Sequence, residues 1–143
     1  MKTVLLVEDS PDDVFFVERA WKKAEISHAL RVAKDGREAI DYLSGKGEFA
    51  DRKKYPLPIL VLLDLKLPHF SGLEVLAWMR NAPEFASTRV IMLTSSKEKR
   101  DIDEAYRLGA GSYKVKPSDA VELTEFARAV RTYWLTHDSA CAG

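Results

Sequence analysis

Three short runs of consecutive apolar residues stand out along the chain, at positions 4–7, 59–63 and 90–93. A continuous apolar run of this length indicates a strand buried on both faces, as in a parallel sheet that helices cover. Two further runs, at positions 30–33 and 113–116, alternate apolar with polar residues. Because edge strands are less fully covered, this alternation favours strands at the two edges of the sheet.

The segments between these runs have the residue spacing of amphipathic helices. The first helix is predicted to begin at Ser10-Pro11-Asp12-Asp13, where a capping serine, a proline and two acids suit the positive end of a helix. Four more helices are expected. The second runs from about Gly36 to Gly45, and the third from Ser71-Gly72 to before Pro83. The fourth runs from after Ser96 to Gly109, with Ile102, Ala105 and Tyr106 facing inward, and the fifth begins after Pro117 with Ser118 as its cap and has an apolar stripe that ends at Trp134.

Five strands that alternate with five helices predict a doubly wound α/β fold with right-handed crossovers. We expect one domain over residues 1–135, followed by a short tail at 136–143. The longest irregular piece is predicted from Ser44 to Pro58, with Arg52-Lys53-Lys54 in a solvated loop.

Composition narrows the class of protein. Apolar residues make up 46% and charged residues 31% of the 143 residues, which is typical of a globular domain. The 22 basic and 22 acidic residues cancel, so no overall charge directs the chain to nucleic acid or a membrane surface. No apolar stretch approaches a membrane span. The single cysteine, Cys141, excludes an internal disulfide and fits a reduced, cytoplasmic compartment.

Polar residues follow the predicted strands at the points where each strand ends. Glu8-Asp9 follows the first strand, Asp64 the third, Thr94 the fourth and Lys116 the fifth. Ligands of open α/β sheets bind beyond the carboxyl ends of the strands, so we expect these side chains to meet. Crowded carboxylates need a cation, and an oxygen-rich cluster suits Mg²⁺. With a cation bound, Asp64 could act as an ionised nucleophile, and Thr94 and Lys116 could hold phosphoryl oxygens.

In this order, the motifs resemble those of the receiver domains of two-component response regulators, also called CheY-like proteins. The matching residues are Glu8-Asp9, Asp64 in Leu63-Asp64-Leu65-Lys66-Leu67-Pro68, Ser71-Gly72, Thr94 and Lys116-Pro117. The resemblance extends from Lys2 to about Leu135. It implies a flavodoxin-like sheet of five parallel strands in the order 2-1-3-4-5 with five helices, an arrangement for which this family is itself a standard example.

The resemblance also implies a set of metal ligands. Asp9 would bind Mg²⁺ directly and Glu8 through a water molecule, and Mn²⁺ could take the place of Mg²⁺. Asp64 would contribute a carboxylate oxygen, and the backbone carbonyl of Lys66 would complete the coordination shell.

Roles in signalling follow from the same resemblance. Asp64 would accept a phosphoryl group from the phosphohistidine of a histidine kinase. Thr94 would be the hydroxyl that moves toward that group, and Tyr113 the aromatic side chain whose rotamer reports the change. Lys116 would pair first with Asp64 and then with the phosphoryl group. Such a protein assists its own phosphorylation and dephosphorylation and is otherwise not an enzyme.

The partners implied are a sensor histidine kinase and an unidentified downstream protein. The whole chain most resembles the stand-alone receivers associated with bacterial, cyanobacterial-type phytochromes, because of its long loop after the second helix, its Leu-Pro-His-Phe-Ser-Gly segment and its aromatic last helix. Output would use the face formed by the fourth helix, fifth strand and fifth helix. The apolar segment Tyr133-Trp134-Leu135 could form part of a protein interface, including that of a homodimer.

Three other functions are weighed against this one. A haloacid dehalogenase-type phosphohydrolase also uses a strand-end aspartate, but it needs a second aspartate two residues later, where this chain has Lys66. A receiver-like scaffold that works without phosphorylation is the second alternative, although every expected chemical residue is present. A nucleotide-binding enzyme is disfavoured because no glycine-rich loop follows the first strand.

Several residues are expected to have only structural or solvent-exposed roles. Lys66, beside the acceptor, could steer phosphate in, or could either slow or speed loss of the phosphoryl group. The remaining expectations are helix-start acids at Asp12 and Asp13, turn and cap serines at Ser95 and Ser96, surface histidines at His28, His69 and His137, and an inert Cys141.

Overall fold

A parallel five-stranded sheet lies at the centre of the molecule, whose computed structural model describes residues 2–135. The strand order is β2-β1-β3-β4-β5, and every neighbouring pair is parallel. This confirms the predicted fold class and topology. The strands are β1 (Thr3–Val7), β2 (Ala29–Ala33), β3 (Leu60–Leu63), β4 (Arg89–Thr94) and β5 (Ser112–Val115).

The described part of the chain has five α-helices, as predicted, of which four connect successive strands and the fifth follows β5. They are α1 (Pro11–Lys23), α2 (Gly36–Ser44), α3 (Gly72–Asn81), α4 (Lys99–Arg107) and α5 (Ala120–Ala129). Short 3₁₀ turns lie at Gly47–Ala50 and Pro83–Phe85. Among residues 2–135, no helix combines the length and the apolar character that crossing a membrane requires.

The central strands are buried on both faces because alternate side chains enter two separate cores. Leu5 and Val7 of β1 pack with the buried side chains of α2, α3 and α4. Val4 and Leu6 of the same strand pack with Val17 and Trp21 of α1 and with Val130 and Leu135, which follow α5. The unbroken apolar runs therefore reflect helices on both sides of the sheet. The edge strands β2 and β5 are only partly buried, as their alternating pattern predicted.

Two predicted helix caps are corrected by the structure. Asp119 caps α5, because its Oδ1 accepts from the Glu122 N–H at 2.8 Å, whereas Ser118 lies one residue before the cap. Ser96 does not cap α4, whose N-cap is Glu98. The Ser96 hydroxyl instead accepts from the Glu98 N–H at 3.3 Å and donates to Asp101 at 2.6 Å, so it fixes the loop before the helix.

Arg52 is a further correction, because its guanidinium is hydrogen-bonded to the protein and does not lie in a solvated loop. Its guanidinium donates to the carbonyl oxygens of Tyr42 and Leu43, at 2.7 Å each, and of Tyr55 at 3.3 Å. Cations favour the carbonyl end of a helix, which carries partial negative charge. Arg52 thus closes the end of α2 and attaches the long loop to it, while Lys53 and Lys54 are exposed as expected.

The chain after α5 continues as a π-helical segment, Val130–Leu135, which its apolar spacing did not predict. Leu135 is buried in the core, whereas Tyr133 is 64% exposed. Trp134 packs under the Arg89 guanidinium, which also donates to its carbonyl at 2.8 Å. Tyr106, expected to face inward, is 49% exposed. The predicted tail at 136–143, with His137 and Cys141, lies outside the described residues.

Gly72 is the glycine on which the position of Asp64 most depends. Its N–H donates to the Leu65 carbonyl at 2.8 Å, and a Cβ added at Gly72 would overlap with the Asp64 carbonyl oxygen. The start of α3 can therefore approach the end of β3 only if no side chain stands between them. This contact holds the loop after Asp64 against the helix.

Gly72→Ala is expected to lower the free energy of unfolding by about 3 kcal/mol, because backbone must move to make room. Gly47→Ala is the matched control. Its Cβ would meet no atom within 4 Å, but its φ of 61° is strained for alanine, at a cost of about 1 kcal/mol. Urea unfolding of both variants measures the difference. Equal losses of unfolding free energy in the two variants would show that the close approach of Gly72 to Asp64 contributes no extra stability.

Candidate functional site

Three carboxylates meet at the carboxyl edge of the sheet, as predicted. Glu8 and Asp9 follow β1, Asp64 follows β3, and one carboxylate oxygen from each lies within 4.8 Å of the others. The two strands are neighbours in the sheet, with Val7 paired to Leu63. The chain passes from β1 to β2 on one side and then to β3 on the other, so the cluster occupies the crevice where strand order reverses.

The Lys116 ammonium lies among these acids at the end of β5. Its Nζ is 2.7 Å from Glu8 Oε1, 2.8 Å from Asp13 Oδ2 and 2.9 Å from Asp64 Oδ2. An ammonium has three protons, so these partners can accept all of them. Asp13 was expected to be only a helix-start acid, and the structure corrects this by placing it on Lys116.

Burial and charge shift the pKa values of two members of this network, Glu8 and Lys116. Burial raises the pKa of Glu8 to about 7; its hydrogen bond from Lys116 opposes the rise and the negative charge of Asp64 adds to it. Burial alone would lower the pKa of Lys116, but its hydrogen bonds with Asp13, Glu8 and Asp64 outweigh burial and raise it. Lys116 is therefore the fixed positive charge of the site.

Asp64 is held by contacts to both of its carboxylate oxygens. Oδ1 accepts from the Leu65 N–H at 2.7 Å, and Oδ2 accepts from Lys116. Its backbone N–H donates to the Val7 carbonyl at 3.1 Å, which continues the ladder from β1. The residue is only 6% exposed. A carboxylate this buried is costly unless it is paired, and the lysine supplies the pairing.

Thr94 and Tyr113 are connected through one residue of the loop after β4. The fully buried Thr94 hydroxyl accepts from the Ser96 N–H at 3.4 Å. The Tyr113 hydroxyl donates to the Ser96 carbonyl at 2.9 Å. A movement of either side chain therefore changes a hydrogen bond of the same peptide segment. Ser96 was predicted to be only a cap, so its part in this connection is new.

Lys66 lies two residues after Asp64. It is exposed and lines a surface cavity of about 490 Å³ together with residues of the loop after β4, among them the exposed Ser95. His69 is also exposed, in the loop that follows, as expected for a surface histidine.

The donor set suits a hard divalent cation. Glu8, Asp9 and Asp64 offer oxygen ligands only, and Asp9 is exposed to solvent, from which water ligands could come. Mg²⁺ and Mn²⁺ favour carboxylate, carbonyl and water oxygens over sulfur or imidazole. The residues present therefore fit a divalent metal site.

Comparison with known proteins agrees with this geometry. The family model described as "Response regulator receiver domain" matches residues 4–128. The chain belongs to the response regulator receiver family. It is a signalling protein of the two-component type, a class that accepts a phosphoryl group, and this confirms the predicted family, fold and function.

Three relatives cover nearly the whole chain. Response regulator Rcp1 of Synechocystis is 34% identical over 94% of this chain and 89% of its own length, and its Mn²⁺-bound crystal structure matches with a TM-score of 0.84. The phosphorylated cyanobacterial phytochrome response regulator RcpA is 32% identical over 95% of both chains, with a TM-score of 0.87. RPA3017, described in red light signalling of R. palustris, is 35% identical over 94% of both chains, with a TM-score of 0.88.

Asp13 is the site residue that sequence reasoning missed. It lies three residues after the helix cap Ser10, in the first turn of α1, which begins directly beyond the acidic pair. That spacing was a usable signal, because the first turn of a helix after a central strand starts at the ligand-binding edge. Two neighbouring acids in a first turn already have a common explanation in the helix dipole, which concealed the second role.

A divalent cation is expected to stabilise the protein by relieving repulsion among the carboxylates. At a concentration a hundred times its dissociation constant, the gain in unfolding free energy is about 2.7 kcal/mol. Asp9→Asn removes one ligand and should abolish most of the gain. Asp12→Asn, an exposed acid of the same region, should keep it. Urea unfolding with the metal and with a chelator measures both, and equal gains in the two variants would contradict the site.

Proposed function

We propose that Asp64 is the residue that accepts the phosphoryl group. The observation that carries this proposal is the position of its carboxylate, which contacts the Lys116 ammonium at 2.9 Å and belongs to the cluster of acids that could hold a metal. Of the three carboxylates in the cluster, Asp64 lies at the end of β3, at the centre of the sheet. Its carboxylate is fixed through both oxygens, by the Leu65 N–H and by Lys116.

The proposed reaction is a phosphoryl transfer from a phosphohistidine. A carboxylate oxygen of Asp64 attacks phosphorus in line with the leaving nitrogen, so that an O–P bond forms as the P–N bond breaks and the imidazole leaves. Lys116 donates to the phosphoryl oxygens and offsets their charge, and the Thr94 hydroxyl turns to donate to the same group. The protein contributes mainly position and charge.

The residues that would hold Mg²⁺ are Asp9 directly, Glu8 through water, Asp64 and the backbone carbonyl of Lys66. When bound, the cation would neutralise charge on the phosphoryl oxygens. The same arrangement would admit a water molecule for hydrolysis of the aspartyl phosphate, and self-catalysed dephosphorylation is part of the proposal.

Asp64→Asn is expected to reduce labelling by phosphoramidate or acetyl phosphate at least about a hundredfold, because the attacking oxygen is lost. Asp12→Asn controls for loss of one negative charge and should label normally. Phosphate-affinity electrophoresis, with mass spectrometry to locate the phosphoryl group, makes the measurement. Labelling of Asp64→Asn at the wild-type rate would refute the assignment.

The proposed switch passes from Thr94 to Tyr113 through Ser96. When Thr94 turns toward the phosphoryl group, its bond with the Ser96 N–H is lost, and the Ser96 carbonyl can release the Tyr113 hydroxyl. Tyr113 lies on β5, beside the face that α4 and α5 complete. Tyr106 and Val121 on this face are 49% and 70% exposed, which supports its use as an output surface.

Tyr113→Phe is expected to favour the switched conformation, because it removes a hydrogen bond that only the present conformation makes. The concentration of beryllofluoride, a phosphoryl mimic, needed for half-saturation at saturating Mg²⁺ should fall about threefold. Tyr106→Phe, which alters an exposed hydroxyl on α4, is the control. Fluorescence titration measures the change, and an unchanged or higher midpoint in Tyr113→Phe would contradict the proposed link.

The proposed phosphodonor is a sensor histidine kinase of the phytochrome type. Family membership implies a histidine kinase, and two of the relatives described above are linked by name to phytochrome or red light. Output is proposed through contact of the α4-β5-α5 face with a downstream protein or a second copy of the chain. A change in elution volume with beryllofluoride and Mg²⁺ distinguishes self-association from contact with another protein.

A further inference from the structure

A bound cation would affect the three carboxylate partners of Lys116 differently. Glu8 and Asp64 belong to the cluster whose oxygens lie within 4.8 Å of one another, and they would turn toward a bound metal. Asp13 is outside that cluster, on α1, and its Oδ2 is 2.8 Å from Lys116 Nζ. It is therefore the partner that can hold the lysine without competing for the cation.

A divalent cation in the cluster would push the lysine away. Like charges repel strongly at short distance in a partly buried site, and Lys116 is only 19% exposed in its side chain. Glu8 and Asp64 would at the same time share their negative charge with the metal. Without a further anion, Lys116 would lose most of the attraction that keeps its ammonium beside Asp64.

The position of Asp13 is built into the start of α1. The Asp13 N–H donates to Ser10 Oγ at 3.3 Å, and the Ser10 N–H donates to Glu8 Oε2 at 3.2 Å. Lys116 completes a closed ring of polar contacts by bonding to both Asp13 and Glu8. The serine that caps the helix thus links the backbone of Asp13 to the Glu8 carboxylate, which shares the same lysine.

We propose that Asp13 is a positioning residue for phosphoryl transfer, which keeps the Lys116 ammonium beside Asp64 while a divalent cation occupies the cluster. The inference rests on the proposed role of Asp64 as the acceptor. Asp13 acts through Lys116 and contributes no ligand to the metal and no atom to the bond that forms.

Asp13→Asn is expected to slow labelling by phosphoramidate roughly fivefold to tenfold at an Mg²⁺ concentration that saturates each variant, since one charge-assisted hydrogen bond to the lysine is lost. Asp12→Asn removes the same charge from the same helix turn, one residue away, and should label at the wild-type rate. Asp13→Glu keeps the carboxylate and should recover part of the loss. A rate for Asp13→Asn equal to that of Asp12→Asn would overturn the inference.

A double-mutant cycle tests whether Asp13 acts through the lysine. In a Lys116→Ala background, Asp13→Asn should have no further effect on the labelling rate. A full additional loss there would show that Asp13 acts by another route and would overturn the proposal. Asp13→Ser repeats the cycle if circular dichroism shows that Asp13→Asn is not folded.

Nitrogen-edited NMR of the Lys116 ammonium provides a readout that does not depend on phosphorylation. Held ammonium protons exchange slowly, and Lys116→Ala assigns the signal. The wild type should keep the signal when Mg²⁺ is added, whereas Asp13→Asn should keep it only without Mg²⁺. Persistence in Asp13→Asn with Mg²⁺ would overturn the inference. Failure of the acceptor assignment would look different, because Asp64→Asn would then still be labelled.

Discussion

The balance of charge around the Lys116 ammonium is the constraint on which the site depends. Four acids are gathered at one edge of the sheet, and at short range their carboxylates repel one another. Lys116 offsets that repulsion by contacting three of them, and in doing so it joins the ends of β1, β3 and β5 to the start of α1. A site arranged in this way is held together by the same charges that would bind a metal and a phosphoryl group.

The fold supplies rigid support for these charges and places the loop after β4 beside them. The central strand ends are buried on both faces, and Gly72 lets α3 close directly against the residue after β3. The loop after β4 connects Thr94 to Tyr113 through the backbone of Ser96, whose N–H donates to the Thr94 hydroxyl and whose carbonyl accepts from the Tyr113 hydroxyl. A change at Thr94 can therefore reach Tyr113 without disturbing the buried strand ends.

The strands and the cluster at their carboxyl edge could be predicted from local patterns in the sequence, whereas the strand order was implied by the resemblance to the receiver family. Apolar runs locate the strands, and the polar residues after them must meet at the edge. Asp13 and Arg52 were misjudged because their roles depend on contacts made in three dimensions. Asp13 meets Lys116 across 103 positions of the chain, and Arg52 meets backbone carbonyls, which leave no mark in a sequence. The π-helical segment at Val130–Leu135 was likewise not predicted; within it, Trp134 contacts Arg89, which is distant along the chain.

Lysine and metal would compete for some of the same oxygens, and this competition gives the fourth acid its importance. A site with only Glu8, Asp9 and Asp64 would have to divide its negative charge between two cations. With Asp13 added on the side of α1, one acid can pair with the lysine while the others bind the metal. Both positive charges can then contact a phosphoryl group at the same time. Since a phosphoryl group in transfer carries charge on several oxygens, holding two cations against it at once is worth more than holding either alone.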